Sequence, residues 1–558
     1  MNKYILLALL VASPLAARAP DAPLTAVVSA ADPRAAEAGV AMLRAGGSAA
    51  DAAAATMLAL TVVEPQSSGI GGGGLLLFQP PKGKLVALDG REIAPAVATP
   101  RQFIGPDGKP LGGNDAQTGG LSVGVPGNIA LIAELHRRGG RLPWAALFEP
   151  AIKLSQGFTT SGRLAQFSGY TSSGLSFGAG GAASLYMKDG KPLPAGTLFA
   201  NPALEATLRA LAAGGPQAFY AGPIGAQVVA VVNGAAARPT AMTMADLAAY
   251  RVRERAAVCG TYRSYKICGM GPPGSGGIGV LQMLKQIEGH DLAKLGQNNP
   301  VTWHLFAESQ RLAFADRDMW VGDADFVKVP VAGLISPAYV RARGRLIRTD
   351  ARMATVAAGM PAGAPKRIAA NDNDVPGTSH FSVADARGGV VTYTSTVERP
   401  FGSGLLAGGF VLNNELTDFN FVPVKDGALT ANAVAPGKRP RSSMSPTLVY
   451  DRRGKVVLAI GAAGGSTILA QVAKAIIGVV DFKLPVEQAI ALPQVYAIGD
   501  RFAVEAGSNL EAMIPAFTAL GHKPTSSSLP LKANGVERAG AGWRGGADPR
   551  SEGQAAGL

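Results

Sequence analysis

The chain has 558 residues, enough for one large domain or two closely joined ones. Hydrophobic residues make up 47% and charged residues 16%, with 72 glycines, 39 prolines and two cysteines, which excludes a disordered chain, a collagen-like repeat and a disulfide scaffold. The formal net charge is +13, but the densest basic stretch (Arg341, Arg343, Arg345, Arg348 and Arg352) has no aromatic interleaving, so it reads as a solvated helix face rather than a nucleic-acid surface.

The chain opens with Met1-Asn2-Lys3-Tyr4, an apolar run from Ile5 to Ala12, and Ser13-Pro14-Leu15-Ala16-Ala17. A short basic start, a brief apolar run and small residues form the pattern of a secretory signal peptide, here residues 1–19. The run is far shorter than a bilayer span needs, and an uncleaved membrane anchor is the alternative to a cleaved signal. These features predict an exported protein, periplasmic or secreted. Helical spacing follows over residues 33–43 and 48–63, the second opened by Ser48 and Asp51 as a capping pair. Gly69 to Gly74 satisfies G-x-G-x-x-G, yet it follows no strand and runs into one at 75–78, so it predicts a tight turn and not a dinucleotide site. Residues 128–138 and 302–316 carry helical spacing again. Cys259 and Cys268 stand in two short strands about a turn, which favours a structural disulfide in an oxidising compartment, with two buried thiols as the alternative.

In the second half, residues 380–384 and 390–396 read as strands about the turn-rich loop 385–389. Residues 456–460 form a strand, 461–466 a glycine loop and 468–480 a helix. The loop lacks the lysine of a phosphate-binding loop, but its glycines expose N–H groups at a helix start, where developing negative charge is favoured. Helices, then strands, then helices predict sheet layers covered by helices.

The informative stretch is Val375-Pro376-Gly377-Thr378-Ser379-His380. Centring the loop on Arg387 sets Thr378 opposite Thr396, a facing that a one-residue slip would destroy. A threonine hydroxyl needs a base to become a nucleophile. None of His136, His290, His304, His380 and His522 sits in a serine-hydrolase elbow. The threonine's own α-amine would serve if the chain were cut before it, since its pKa of about 7.7–8.0 suits neutral pH. Gly377 offers the unhindered carbonyl that such a cut needs.

These residues resemble the γ-glutamyltranspeptidase family of N-terminal-nucleophile hydrolases. The resemblance covers nearly the whole mature chain: Gly69 to Gly74, Asp89-Gly90-Arg91-Glu92-Ile93-Ala94-Pro95, Ala315-Asp316-Arg317, Thr378-Ser379-His380-Phe381-Ser382, Asn413-Asn414-Glu415, Lys438-Arg439-Pro440-Arg441-Ser442-Ser443-Met444-Ser445-Pro446-Thr447 and Gly546-Ala547-Asp548-Pro549-Arg550. It implies an α+β, four-layer αββα sandwich. It also implies a proenzyme that cuts itself between Gly377 and Thr378 into a large subunit (20–377) and a small catalytic subunit (378–558), which stay together as a heterodimer. Thr378 is then the nucleophile, Thr396 its support, and Gly464 and Gly465 the oxyanion donors. Arg91, Ser442 and Ser443 would take the α-carboxylate of a γ-glutamyl group, and Glu415 and Asp418 its ammonium.

Two departures stand out. Glu398 occupies a substrate-pocket position where many members have Asn. The lid between Asp418 and Lys438 looks shortened, with Phe419 and Phe421 as its only aromatics, which predicts a more open pocket and favours water over amine acceptors. The implied activity is hydrolysis or transfer of γ-glutamyl groups from glutathione-like compounds to water, amino acids or peptides, with no metal, cofactor, nucleic acid or membrane span. The alternatives are a glutaryl-cephalosporin (β-lactam) acylase on the same fold and an inactive periplasmic binding protein.

Overall fold

The structure, a computed structural model, describes residues 23–172, 181–369, 377–425 and 427–558. The expected signal segment 1–19 and Val375-Pro376 lie outside the described residues. The elements that frame the site are, in chain order, β1 (Val27–Ala30), α1 (Pro33–Arg44), α2 (Ala49–Val63), β2 (Gly73–Gln79), β3 (Val86–Gly90), α3 (Asn128–Gly139), β4 (Arg253–Arg255), β5 (Val258–Tyr262), β6 (Tyr265–Gly269), α4 (Gly276–Gln286), α5 (Pro300–Trp320), β7 (Thr378–Ala384), β8 (Val390–Thr396), β9 (Thr447–Tyr450), β10 (Val456–Ala463), α6 (Thr467–Val480), β11 (Lys532–Ala539), β12 (Gly542–Ala547) and β13 (Gln554–Gly557). One seven-stranded sheet runs β13-β1-β7-β8-β2-β3-β4; a six-stranded sheet runs β12-β11-β10-β9-β6-β5. The sheets stack face to face through β7, β8, β10 and β11. Helices α1 and α2 cover the first, α4 and α6 the second, which makes the αββα sandwich of an α+β fold.

Local sequence explains the layers. Helix α2 (AADAAAATMLALTVV) is buried on every side, as befits a helix without a polar face. Ser48 caps it: its Oγ accepts from Asp51 N, and the Asp51 carboxylate accepts from Ser48 N at 2.8 Å. Small residues let α1 lie close, since a Cβ on Gly39 would come within 2.4 Å of Thr56 Oγ1. Strands β7 and β8 are buried along all their residues. Phe381, Val383, Val391 and Tyr393 join the core under α1 and α2.

The opposite face of β7 and β8 meets the second sheet with a polar row in place of an apolar one. His380 Nδ1 lies 2.8 Å from Thr394 Oγ1 and its Nε2 lies 3.1 Å from Ser382 Oγ. Burial lowers the His380 pKa to about 3, so the ring is neutral and both nitrogens are engaged. Strand β10 continues three residues beyond the expected strand end, and the glycine loop shrinks to Gly464–Ser466. The reason is steric: a Cβ on Gly461 would come within 2.3 Å of the His380 ring, so glycine belongs to the strand there.

The cysteine expectation resolves to the disulfide: Cys259 and Cys268 are direct partners across β5 and β6 and are bonded. The basic stretch is only partly a solvated face. Arg343 is buried, donating to Ala357 O at 2.7 Å and lying 3.2 Å from Asp316. The helix on which it sits packs against α4, and the buried carboxylate requires a cation there. The loop closed by the disulfide is short, with a sequence separation of 9. Loss of the bond in a Cys259→Ala/Cys268→Ala variant is expected to cost about 2–3 kcal/mol, read as a lower urea midpoint than that of the parent protein.

Candidate active site

The register of β7 and β8 sets Thr378 directly opposite Thr396, as the loop-centred count expects. The two hydroxyls lie 3.2 Å apart. Thr396 Oγ1 donates to Gly377 O at 2.8 Å and accepts from Glu398 N at 2.8 Å. One hydroxyl therefore touches both the Thr378 side chain and the peptide carbonyl that precedes it. Gly377 is sterically required: a Cβ would come within 2.2 Å of Glu398 O and 2.5 Å of Arg399 C.

Past Thr396 the chain turns through Glu398, which holds φ +78. This left-handed conformation costs a non-glycine residue about 1 kcal/mol or more. Asn414 sustains it, its Nδ2 donating to the Glu398 carboxylate and its Oδ1 accepting from Arg399 N at 3.1 Å. The turn aims Glu398 into a small cavity, about 20 Å³, lined by Arg91, Thr378, Thr396, Glu398, Glu415, Asp418, Ser442, Ser443, Met444, Gly465 and Ile468. Of the residues singled out by sequence, only Gly377 and Gly464 are not part of this lining, and each adjoins a residue that is. Gly464 and Gly465 turn the chain at φ +124 and +61 into the start of α6. A Cβ on Gly464 would strike Pro530 O at 2.0 Å.

Acidic groups outnumber basic ones in the cavity. Arg91 donates to Glu415 and Asp418, and to the carbonyls of Pro440 at 3.3 Å and Arg441 at 3.1 Å. Glu92 lies 3.7 Å from the same guanidinium. Burial alone would lower the Arg91 pKa, but the Glu415, Asp418 and Glu92 carboxyls outweigh it and the guanidinium stays charged. Burial raises Glu92 to about 7 and Glu415 to about 8 despite Arg91. Glu398 is pushed well above the usual carboxylate range by burial and then by Asp418 and Glu415. Its Oε1 is buried without a hydrogen-bond partner. Ser443 Oγ accepts from Arg317 Nη2 at 2.9 Å, and Ser442 Oγ accepts from Met444 N at 3.2 Å. No group of three or more His, Cys, Asp or Glu side chains among the described residues is arranged to hold a metal ion.

Part of the segment after Asp418 folds inward. Phe419 and Phe421 are buried, and Phe421 stacks on Phe103 at 4.7 Å. Val422, Val424 and Leu429 remain exposed. Three residues beneath Thr378 escaped the sequence reading: Glu64, Ser379 and Lys532, joined in one buried cluster. Glu64 merely ends a helix and Lys532 merely begins a strand. No spacing links them, and only the stacking of the two sheets brings them together.

Two stacked sheets covered by helices on both outer faces are the architecture of the N-terminal-nucleophile hydrolases. The γ-glutamyltranspeptidase family model matches residues 35–558, and the chain belongs to that family. It is 34% identical to the glutathione hydrolase proenzyme of Bacillus subtilis (strain 168) over 95% of this chain and 91% of that one. It is also 34% identical to the acylase ACY 1 proenzyme of Pseudomonas sp. (strain SE83), over 90% of this chain and 88% of that one. Among solved structures, the cephalosporin acylase from Bacillus halodurans superposes with a TM-score of 0.82 at 26% identity, over 98% of this chain and 99% of that one.

The raised carboxyl pKa values have a sign that can be checked. Glu415 titrates at about 8 when folded against an ordinary 4.5, so the folded protein retains a proton that the unfolded chain releases. Stability from this proton is complete below pH 4.5 and is lost as pH rises through about 8. Thermal unfolding across that window is expected to show a shallower decline with pH for Glu415→Gln than for the parent. Equal slopes would place no retained proton on Glu415.

Proposed function

We propose that the chain is an exported γ-glutamyltransferase/glutathione hydrolase, made as a precursor that cuts itself between Gly377 and Thr378. The family and the formed cysteine bond, which suits an oxidising compartment, support this reading. In the precursor, the Thr378 hydroxyl attacks the Gly377 carbonyl, which Thr396 polarises by its hydrogen bond. The Gly377 C–N bond breaks as the C–Oγ ester forms, with the hydroxyl proton passing to the nitrogen. Water then splits the ester, freeing a Gly377 carboxylate, the Thr378 hydroxyl and its α-amine.

In the mature enzyme the α-amine takes the Oγ proton as Thr378 attacks the γ-amide carbonyl of the donor. Backbone N–H groups of Gly464 and Gly465 receive the oxyanion, one such donor contributing about 10²–10³ in rate. The leaving amine departs with a proton, and water or an amino acid or peptide resolves the acyl-enzyme. Ser442, Ser443 and Arg91 hold the α-carboxylate, and Glu398, Glu415 and Asp418 the α-ammonium.

One observation carries the substrate class: three carboxyl side chains share the small cavity with Thr378 and a single guanidinium already paired with two of them. Glu398 and Glu415 can give up their protons when an ammonium arrives to pair with them, so the site suits a ligand bearing an ammonium over one bearing only a carboxylate. The whole-chain likeness to a cephalosporin acylase supports a second reading, a glutaryl-amide acylase. A γ-glutamyl anilide and a glutaryl anilide differ only in the α-amine and separate the two. A buried charge left unpaired costs about 2 kcal/mol or more, so kcat/KM is expected to favour the γ-glutamyl substrate by about 30-fold or more. Glu398→Gln should narrow that gap. Equal rates for the two anilides would favour the acylase.

The cut itself is read on a denaturing gel with N-terminal sequencing of the smaller band, which should begin at Thr378. Thr378→Ala is expected to leave one uncut, inactive chain, and Thr378→Ser to retain partial cutting. Full processing of the alanine variant, or full turnover by uncut protein, would remove Thr378 as the nucleophile.

A further inference from the structure

Lys532 has no role in the chemistry above, yet it lies under the nucleophile. Its side chain starts from the first residue of β11 in the second sheet, is almost wholly buried and reaches the head of β7 in the first. There Nζ donates to Thr378 O at 3.2 Å, to Ser379 Oγ at 3.4 Å and to Glu64 Oε2 at 2.5 Å. Ser379 Oγ donates to the same Glu64 oxygen. The backbone of this lysine is tied to the glycine turn. Lys532 pairs with Ala463 across β10 and β11, and its N donates to Gln471 Oε1 at 3.0 Å while Gln471 Nε2 donates to Ala463 O at 2.7 Å. One residue thus connects the Thr378 carbonyl with the strand end that precedes Gly464.

We propose that Lys532 is a positioning residue that clamps the Thr378 carbonyl and, through its charge, keeps the Thr378 α-amine unprotonated near neutral pH. The inference rests on the proposed cut after Gly377. That cut releases the N-terminal side of Thr378, so its anchors become the pairing with β8 and the hydrogen bond from Lys532. A free amine acts as a base only when neutral, and a like charge nearby opposes its protonation. The charged groups around this point are Glu64, Arg163 and Asp32 on the Lys532 side and Arg91, Glu398, Glu415 and Asp418 across the cavity. Carboxylates near the amine would favour its protonation, and Lys532 opposes them. Burial lowers the Lys532 pKa to about 8, with Glu64 acting against the shift, so the ammonium persists at neutral pH.

The test is the acid limb of the kcat/KM profile for a γ-glutamyl anilide. Lys532→Gln keeps a donor for the carbonyl but no charge, and should move the limb up by about one pH unit, a loss of about tenfold below it. Lys532→Arg keeps the charge and should leave the limb in place even if the plateau rate falls. A purely structural lysine would lower the plateau without moving the limb. If the glutamine precursor stays uncut, Lys532→Met/Glu64→Gln is compared with Glu64→Gln alone, so that loss of the lysine charge is read with residue 64 neutral in both and no charge is stranded. A limb unmoved in the neutral variant, or displaced equally in the arginine variant, overturns the proposal. Turnover by Thr378→Ala would instead sink the underlying nucleophile assignment, so the two failures are distinguishable.

Discussion

The antiparallel register of β7 and β8 is the constraint on which the site depends. It sets Thr378 against Thr396, and Thr396 in turn holds Gly377 O and Glu398 N with one hydroxyl. Strand side chains alternate, so a slip of one residue would send Thr378 toward the helix layer and carry Phe381 into the polar row. That row is buried, and its hydroxyls and imidazole satisfy one another only in this alignment. Close backbone approach adds a second lock, because nothing larger than glycine fits at position 377.

The cavity beside this pair is an electrostatic compromise. Arg91 stabilises carboxyls that burial would otherwise neutralise, while Glu92 and Glu415 remain poised near neutral pH. Glu398 adds acidity from a backbone conformation that glycine would adopt more readily. A zwitterionic ligand would meet such a site on both signs: its ammonium would draw the retained protons off the carboxyls, and its carboxylate would compete with Glu415 and Asp418 for the guanidinium.

Much of this was readable before any coordinates. Helices α1, α2, α3 and α5 announced themselves by spacing and by Ser48 with Asp51. The pairing of residues 378 and 396 followed from a five-residue loop. Single-sequence patterns failed where tertiary packing decides. Gly461 looks like loop residue but serves as strand because His380 needs its missing side chain. Arg343 looks solvated but answers the buried Asp316. The Glu64–Ser379–Lys532 cluster joins three residues that are far apart or unremarkable in sequence, and no local pattern encodes it.

Strand order carries a last consequence. The seven-stranded sheet alternates segments from both sides of position 377, with β1 between β13 and β7, and β8 against β2; the six-stranded sheet does the same where β9 meets β6. A break after Gly377 therefore yields two polypeptides woven through both sheets, neither of which owns a complete hydrophobic core. They part only if every layer opens, and once parted they lack the tether that first brought those strands together. Such a molecule persists by the slowness of its unfolding and not by its capacity to reassemble, so heat or denaturant should end its working life irreversibly.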